Sequence, residues 1–118
     1  MEKVGRNFLL LSAIYGVFGM GIGLYMASVE TFKYSAVHSH LTLFGFVSLA
    51  IYGLTYSAGL AKNDRLAAAH FWVSALGAIL FPIGEGLAIG GGSIALAVAG
   101  SLLVILSAVQ FVVAIYRA

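Results

Sequence analysis

Residues 36–46 read Ala36-Val37-His38-Ser39-His40-Leu41-Thr42-Leu43-Phe44-Gly45-Phe46, and the uncharged run they belong to extends from Tyr34 to Leu60. A run of that length is enough to cross about 30 Å of hydrocarbon as one helix, for which roughly 20 residues are required. Two imidazoles therefore stand at the head of a membrane-spanning rod. Residues two apart on an α-helix are separated by about 200° around the axis, so His38 and His40 face opposite flanks. One regular helix does not chelate a single ion with such a pair; spacings of three or four place two side chains on one face.

The rest of the chain has the same character. Of 118 residues, 62% are hydrophobic and 8% charged, a balance far from that of water-soluble domains and consistent with an all-α membrane protein. Three further uncharged or nearly uncharged runs, about 7–27, 66–88 and 93–116, join 34–60 to predict a four-transmembrane-helix bundle in a single domain, 1–118. Residues 1–28 carry a basic start, an apolar run and Met26-Ala27-Ser28, but the run exceeds the roughly 7–15 residues of a secretory signal core, so a retained span is expected.

There is no cysteine, which excludes disulfides, thiolate metal sites and cysteine nucleophiles. The net charge of +2 forms no basic patch, and no nucleic-acid partner is expected. Lys3, Arg6, Lys62, Arg65 and Arg117 fall on one side of a four-span chain and Lys33 alone on the other. The excess of cytoplasmic lysine and arginine seen in membrane proteins then predicts an inner (plasma) membrane protein with both termini cytoplasmic. It also puts His38 and His40 within about a turn and a half of the outer surface.

Glycines crowd the first span at positions 16, 19, 21 and 23, with Gly19-x-x-x-Gly23 as a small-residue pair suited to close helix packing. Gly45 and Gly53 punctuate the second. Gly45, near His40, has two readings: close packing, or room for a planar ligand. Glu85 follows Phe81-Pro82 at the outer end of the third span and shares the depth of His38, where its carboxylate is a solvated loop charge, an acceptor that fixes a ligand imidazole, or a group that handles a proton. His70, in Ala69-His70-Phe71-Trp72, reads as an interfacial or packing residue.

Ionisable groups inside a membrane mark functional sites by default, and neutral imidazole ligates haem iron, copper or zinc. Taken alone, the pair also fits a role in which one ring reaches the interface and the other hydrogen-bonds a neighbouring span. No nucleophile–base pair or phosphate-cradling loop is present, so no chemistry at a carbonyl or phosphate is indicated.

"HSHLTLFGFVSLAIYGLTY", residues 38–56, resembles the tenth helix of subunit I of haem–copper oxidases and the related nitric oxide reductases, where an H-x-H pair opens an apolar, glycine-bearing helix. "HFWVSALGAILFPIGEG", residues 70–86, is similar to the helix that follows it in that family, and the first span, with Tyr15, Gly19, Gly23 and Met26, to a helix preceding a ligand helix. The resemblance implies that His40 corresponds to the low-spin haem ligand and His38 to the high-spin ligand, on opposite flanks. It implies haem b as cofactor; by their own positions Gly45 and Glu85 are the residues expected beside such a group, and Lys33 is a candidate partner for a propionate.

The chain supplies neither the further histidines of a binuclear copper centre nor the usual arginine pair after Phe81-Pro82, so a single copy does not build an oxygen-reducing site. Subunit I of the family has three arcs of four helices, and this chain resembles one arc. A homo-oligomer, in the form of a homotrimer, is the expected way to restore the whole, with haem between His38 of one copy and His40 of the next. Electron transfer with a redox partner, or the handling of a diatomic gas, is the implied role. A copper- or zinc-binding membrane protein and a non-catalytic assembly subunit are the alternatives.

Overall fold

The computed structural model describes residues 3–118. Four helices carry nearly all of it: α1 (Val4–Ser28), α2 (Ser35–Ser57), α3 (Arg65–Ile89) and α4 (Ala95–Arg117). Each has 23 or 25 residues and is apolar enough to cross a bilayer, and no strand occurs among the described residues. The expected four-span, all-α architecture is the observed one.

The ends of the helices follow local chemistry. α1, α2 and α3 all stop in one motif, an N–H five residues on closing onto a last-turn carbonyl: Thr31 onto Met26, Leu60 onto Thr55 and Gly92 onto Leu87. The residue before each closing N–H must turn left-handed. Gly59 (φ 77°) and Gly91 (φ 92°) do so without a Cβ clash, whereas Glu30 does so as a non-glycine at φ 52°. This is why α2 ends at Ser57, short of the Leu60 expected from hydropathy. At its start, α3 is capped by Asp64, whose Oδ1 accepts from the N–H groups of Leu66 and Ala67 at 3.1 and 3.2 Å.

Asp64 also binds the Arg117 guanidinium at 3.0 Å, tying the first residue before α3 to the last turn of α4. Partial burial pushes the Asp64 carboxyl up, but the Arg117 hydrogen bond, the Ala67 and Leu66 N–H groups and the guanidinium charge together hold it below its ordinary value. A lowered carboxyl stabilises the fold above the unfolded-chain value near 3.9 and loses that contribution as pH falls through the lower folded value. Asp64→Ala is expected to cost about 1 kcal/mol at pH 7, as a lost helix cap does. Thermal unfolding of both proteins at pH 7 and near pH 3 checks the sign: the gap between them should narrow in acid.

Packing divides the chain into two hairpins. α1 lies on α2 through its glycines: a Cβ on Gly16 would sit 2.9 Å from Phe46, one on Gly19 2.7 Å from Thr42 and one on Gly23 2.8 Å from His38. α3 lies on α4 still more closely, Gly84 against the backbone of Leu96 and Ala97 and Gly100 against the backbone of Phe81. Small residues at such interfaces let helix backbones approach where hydrocarbon offers no hydrophobic driving force.

The hairpins are joined near the Asp64–Arg117 end by aromatic rings from all four helices. Phe8, Tyr52, His70 and Phe111 have centroids 4.5 to 5.6 Å apart along the chain of contacts. His70 is buried there, Nδ1 2.8 Å from the Tyr56 hydroxyl, and so is a packing residue. Ser74 and Ser107 share a hydrogen bond one turn further in. With extents of 45 × 27 × 18 Å the molecule is a flattened layer, α2 and α3 in the middle and the more exposed α1 and α4 at the edges. Apolar side chains such as Val17, Leu24, Leu102 and Val112 project outward, the surface a bilayer would cover.

Candidate functional site

His38 and His40 occupy the first turns of α2, in a segment that is α-helical through His40 and then widens into a π-helical stretch, Leu41–Ser48. Such stretches concentrate at functional sites, where they re-aim side chains. Ahead of this widening, the regular helix sends the two rings to different neighbours.

His38 turns toward α1. Its Nδ1 donates to the Gly19 carbonyl at 2.7 Å, and its ring edge lies over Gly23 where any side chain would collide with it. A carbonyl only accepts, so the proton sits on Nδ1 and, in the neutral ring, Nε2 carries the lone pair. Beside it a groove of about 480 Å³ opens between the end of α1 and the start of α2, lined by Gly23, Met26, Glu30, Phe32, Ser35 and His38.

His40 turns toward α3. Its Nδ1 lies 2.8 Å from both Oε1 and Oε2 of Glu85, and its ring packs on Phe81 with centroids 4.6 Å apart. The carboxylate is 13% exposed and the imidazole 42%. Glu85 therefore is a partner of a histidine rather than a solvated loop charge. Pro82, inside α3, removes the N–H that would have bonded the carbonyl of Ala78 one turn back. An ionised carboxylate accepts only, so beside a charged Glu85 a neutral ring has Nδ1 as the donor and Nε2 open. Among the described residues neither Nε2 has a hydrogen-bond partner.

Gly45 does not serve the site as a slot for a planar group. The volume its side chain would fill holds the Tyr15 ring, 2.9 Å from an added Cβ, so this glycine packs α2 on α1. Lys33 lies over the Tyr34 ring, 5.5 Å from its centroid. Among the described residues no three histidine or carboxylate side chains converge as a metal site, so one chain does not enclose an ion on such ligands alone.

Sequence reasoning found both histidines and Glu85 but missed the Gly19 carbonyl, because a backbone acceptor leaves no side-chain signal. Gly19-x-x-x-Gly23 was a sign of close packing, and the close packing is what brings that carbonyl within reach. The π-helical stretch had no signal in the residue pattern.

No known protein family, curated protein or solved structure matches the chain. What fold and site define together is a multi-pass α-helical membrane protein with two oppositely directed, acceptor-anchored imidazoles at one end of its second span.

Proposed function

We propose that this chain binds b-type haem through Nε2 of His38 and His40, as a homo-oligomer of the inner membrane, for electron transfer or the handling of a diatomic gas. The observation that carries the reading is the shared state of the two rings. Each gives its Nδ1 proton to an acceptor, Gly19 O or Glu85, and each keeps Nε2 open. Metal-ligating histidines are held in this way, with the second nitrogen donating to a carbonyl or carboxylate that fixes tautomer and orientation.

The donor set suits haem better than a free ion. Axial ligation of haem asks for one imidazole per face, whereas copper or zinc held by protein ligands asks for several that one chain does not bring together. Haem would supply a one-electron couple, and the chain's residues set which faces of it are held. Rings on opposite flanks of α2 would serve two separate haems, each held also by a residue of a neighbouring copy, His38 of one and His40 of the next. Both termini on the cytoplasmic side, from the charge bias, would place these sites near the outer surface.

The test is an absorption spectrum of the purified protein, oxidised and dithionite-reduced, beside His38→Ala and His40→Ala. A Soret band, a pyridine haemochrome of the b type and its loss in both variants are expected. Protein without a haemochrome but with stoichiometric copper or zinc would replace this reading with the metal one. Protein without either, whose variants change only oligomer stability, would leave an assembly subunit. A detergent-phase mass giving a monomer loaded with bis-histidine haem would overturn the shared-ligand arrangement.

A further inference from the structure

The end of the molecule opposite the histidine pair carries Lys3, Arg6, Lys62, Arg65 and Arg117. Its one described carboxylate, Asp64, is committed to Arg117 and to the first turn of α3. α1 and α3 run in the same direction, so both present helix N-termini, with their positive dipole ends, at this surface. The two are treated differently. α3 has its Asp64 cap; α1 begins at Lys3 with no side-chain cap and no acidic residue in its first turn.

Between these two helix starts lies a groove of about 210 Å³ lined by Lys3, Val4, Asn7, Ala68, Phe71 and Trp72. Lys3 and Asn7 stand at the first turn of α1 with Val4, and Ala68, Phe71 and Trp72 lie one to two turns into α3. Trp72 is 64% exposed, an indole at the depth where aromatic rings meet lipid headgroups. The groove is thus amphipathic along the membrane normal, cationic and hydrogen-bonding at its mouth and hydrocarbon-like below.

We propose that this groove binds one anionic phospholipid of the bilayer. The phosphate sits at Lys3, Asn7 and the uncapped N–H groups of α1, with Arg6 adding its charge, and the upper part of an acyl chain lies along Ala68, Phe71 and Trp72. Charge complementarity selects the anionic over the zwitterionic lipid: two cations within one turn of an uncapped helix N-terminus have no carboxylate partner among the described residues. A helix N-terminus, a lysine and an amide together supply the donors that a phosphate oxygen takes up. The bound lipid also bridges α1 to α3, one helix of each hairpin, at the surface.

The experiment is native mass spectrometry of the protein released from nanodiscs containing equal phosphatidylglycerol and phosphatidylcholine. One retained phosphatidylglycerol per chain is expected, with little phosphatidylcholine. Lys3→Gln should lower that retention about fivefold, the effect of one basic residue on an anionic lipid surface, and Lys3→Arg should restore most of it. Trp72→Ala should lower it as well. Lys62→Gln makes the same charge change at the same end but outside the groove, and should leave retention as in the wild type. Equal losses from Lys62→Gln and Lys3→Gln would mean diffuse attraction, and equal retention of the two lipids would mean an ordinary annular shell; either result overturns the site, as does a Lys3→Gln protein that keeps its lipid. Circular dichroism of each variant guards against loss of the fold.

Discussion

Gly84→Ala is expected to cost about 3 kcal/mol or more of stability, the upper end of what overpacking produces. The added methyl has nowhere to go. Its nearest neighbours are the backbone atoms of Leu96 and Ala97 in α4, and backbone within a helix does not rotate aside as a side-chain tip does. α3 and α4 would have to separate along much of their length, because Gly100 and Gly77 hold the same close approach over the next turns of the pair. Gly86→Ala is the control. Its Cβ meets nothing within 4 Å, and alanine favours helix over glycine by up to about 1 kcal/mol, so that variant should be as stable as the wild type or slightly more so. Thermal or SDS unfolding in one detergent, followed by circular dichroism, compares the three proteins. Equal stability of Gly84→Ala and Gly86→Ala would mean that the two helices do not pack backbone to backbone. Because Glu85 adjoins Gly84, the destabilised variant should also loosen the His40–Glu85 pair.

Features set by one helix period or one charge cluster were legible in the residues, and features set by contacts between helices were not. The first two boundaries between spans follow from where Glu30, Lys33, Lys62 and Arg65 interrupt apolar runs, since a charge in hydrocarbon is costly enough to mark a boundary, whereas the third and fourth spans part at the uncharged Gly90-Gly91-Gly92 turn. The divergence of His38 and His40 follows from the helix period alone. Glu85 was half legible: Pro82 and the span length placed it at the right depth, but whether it met water or a histidine depended on how α3 leans on α2. Gly45 shows the opposite case. A glycine near a ligand histidine admits a slot or a packing contact equally, and only the position of Tyr15, thirty residues away on another helix, decides between them. The ring cluster of Phe8, Tyr52, His70 and Phe111 draws one residue or more from every helix, and no local pattern announces it. Glu30 in a left-handed turn is likewise silent, because its two counterparts at helix ends are glycines.

Glu85→Ala is expected to weaken haem binding at His40 by 10- to 100-fold on the proposed reading, the usual cost of removing a group that orients a metal ligand. Two effects add. The imidazole loses the carboxylate that holds Nδ1 at 2.8 Å, so the ring is free to rotate about its side-chain bonds and Nε2 no longer has a fixed direction. The ring also loses the negative charge that makes its Nε2 a stronger donor to iron. Glu85→Gln separates the two: the amide oxygen still accepts from Nδ1–H, so orientation survives while the charge goes. Its affinity should fall between wild type and Glu85→Ala. Its reduction potential should rise, because the ferric state gains most from an anionic partner on its ligand. Haem titration of the apoprotein followed at the Soret band measures the first quantity, and a redox titration of the loaded variant the second. His38, anchored by a backbone carbonyl that neither substitution touches, should keep its orientation in both variants, so the loss arises at the His40 end of each shared haem. Glu85→Ala protein that takes up haem as tightly as the wild type would show that the carboxylate does not tune a ligand, and the case for iron at His40 would go with it.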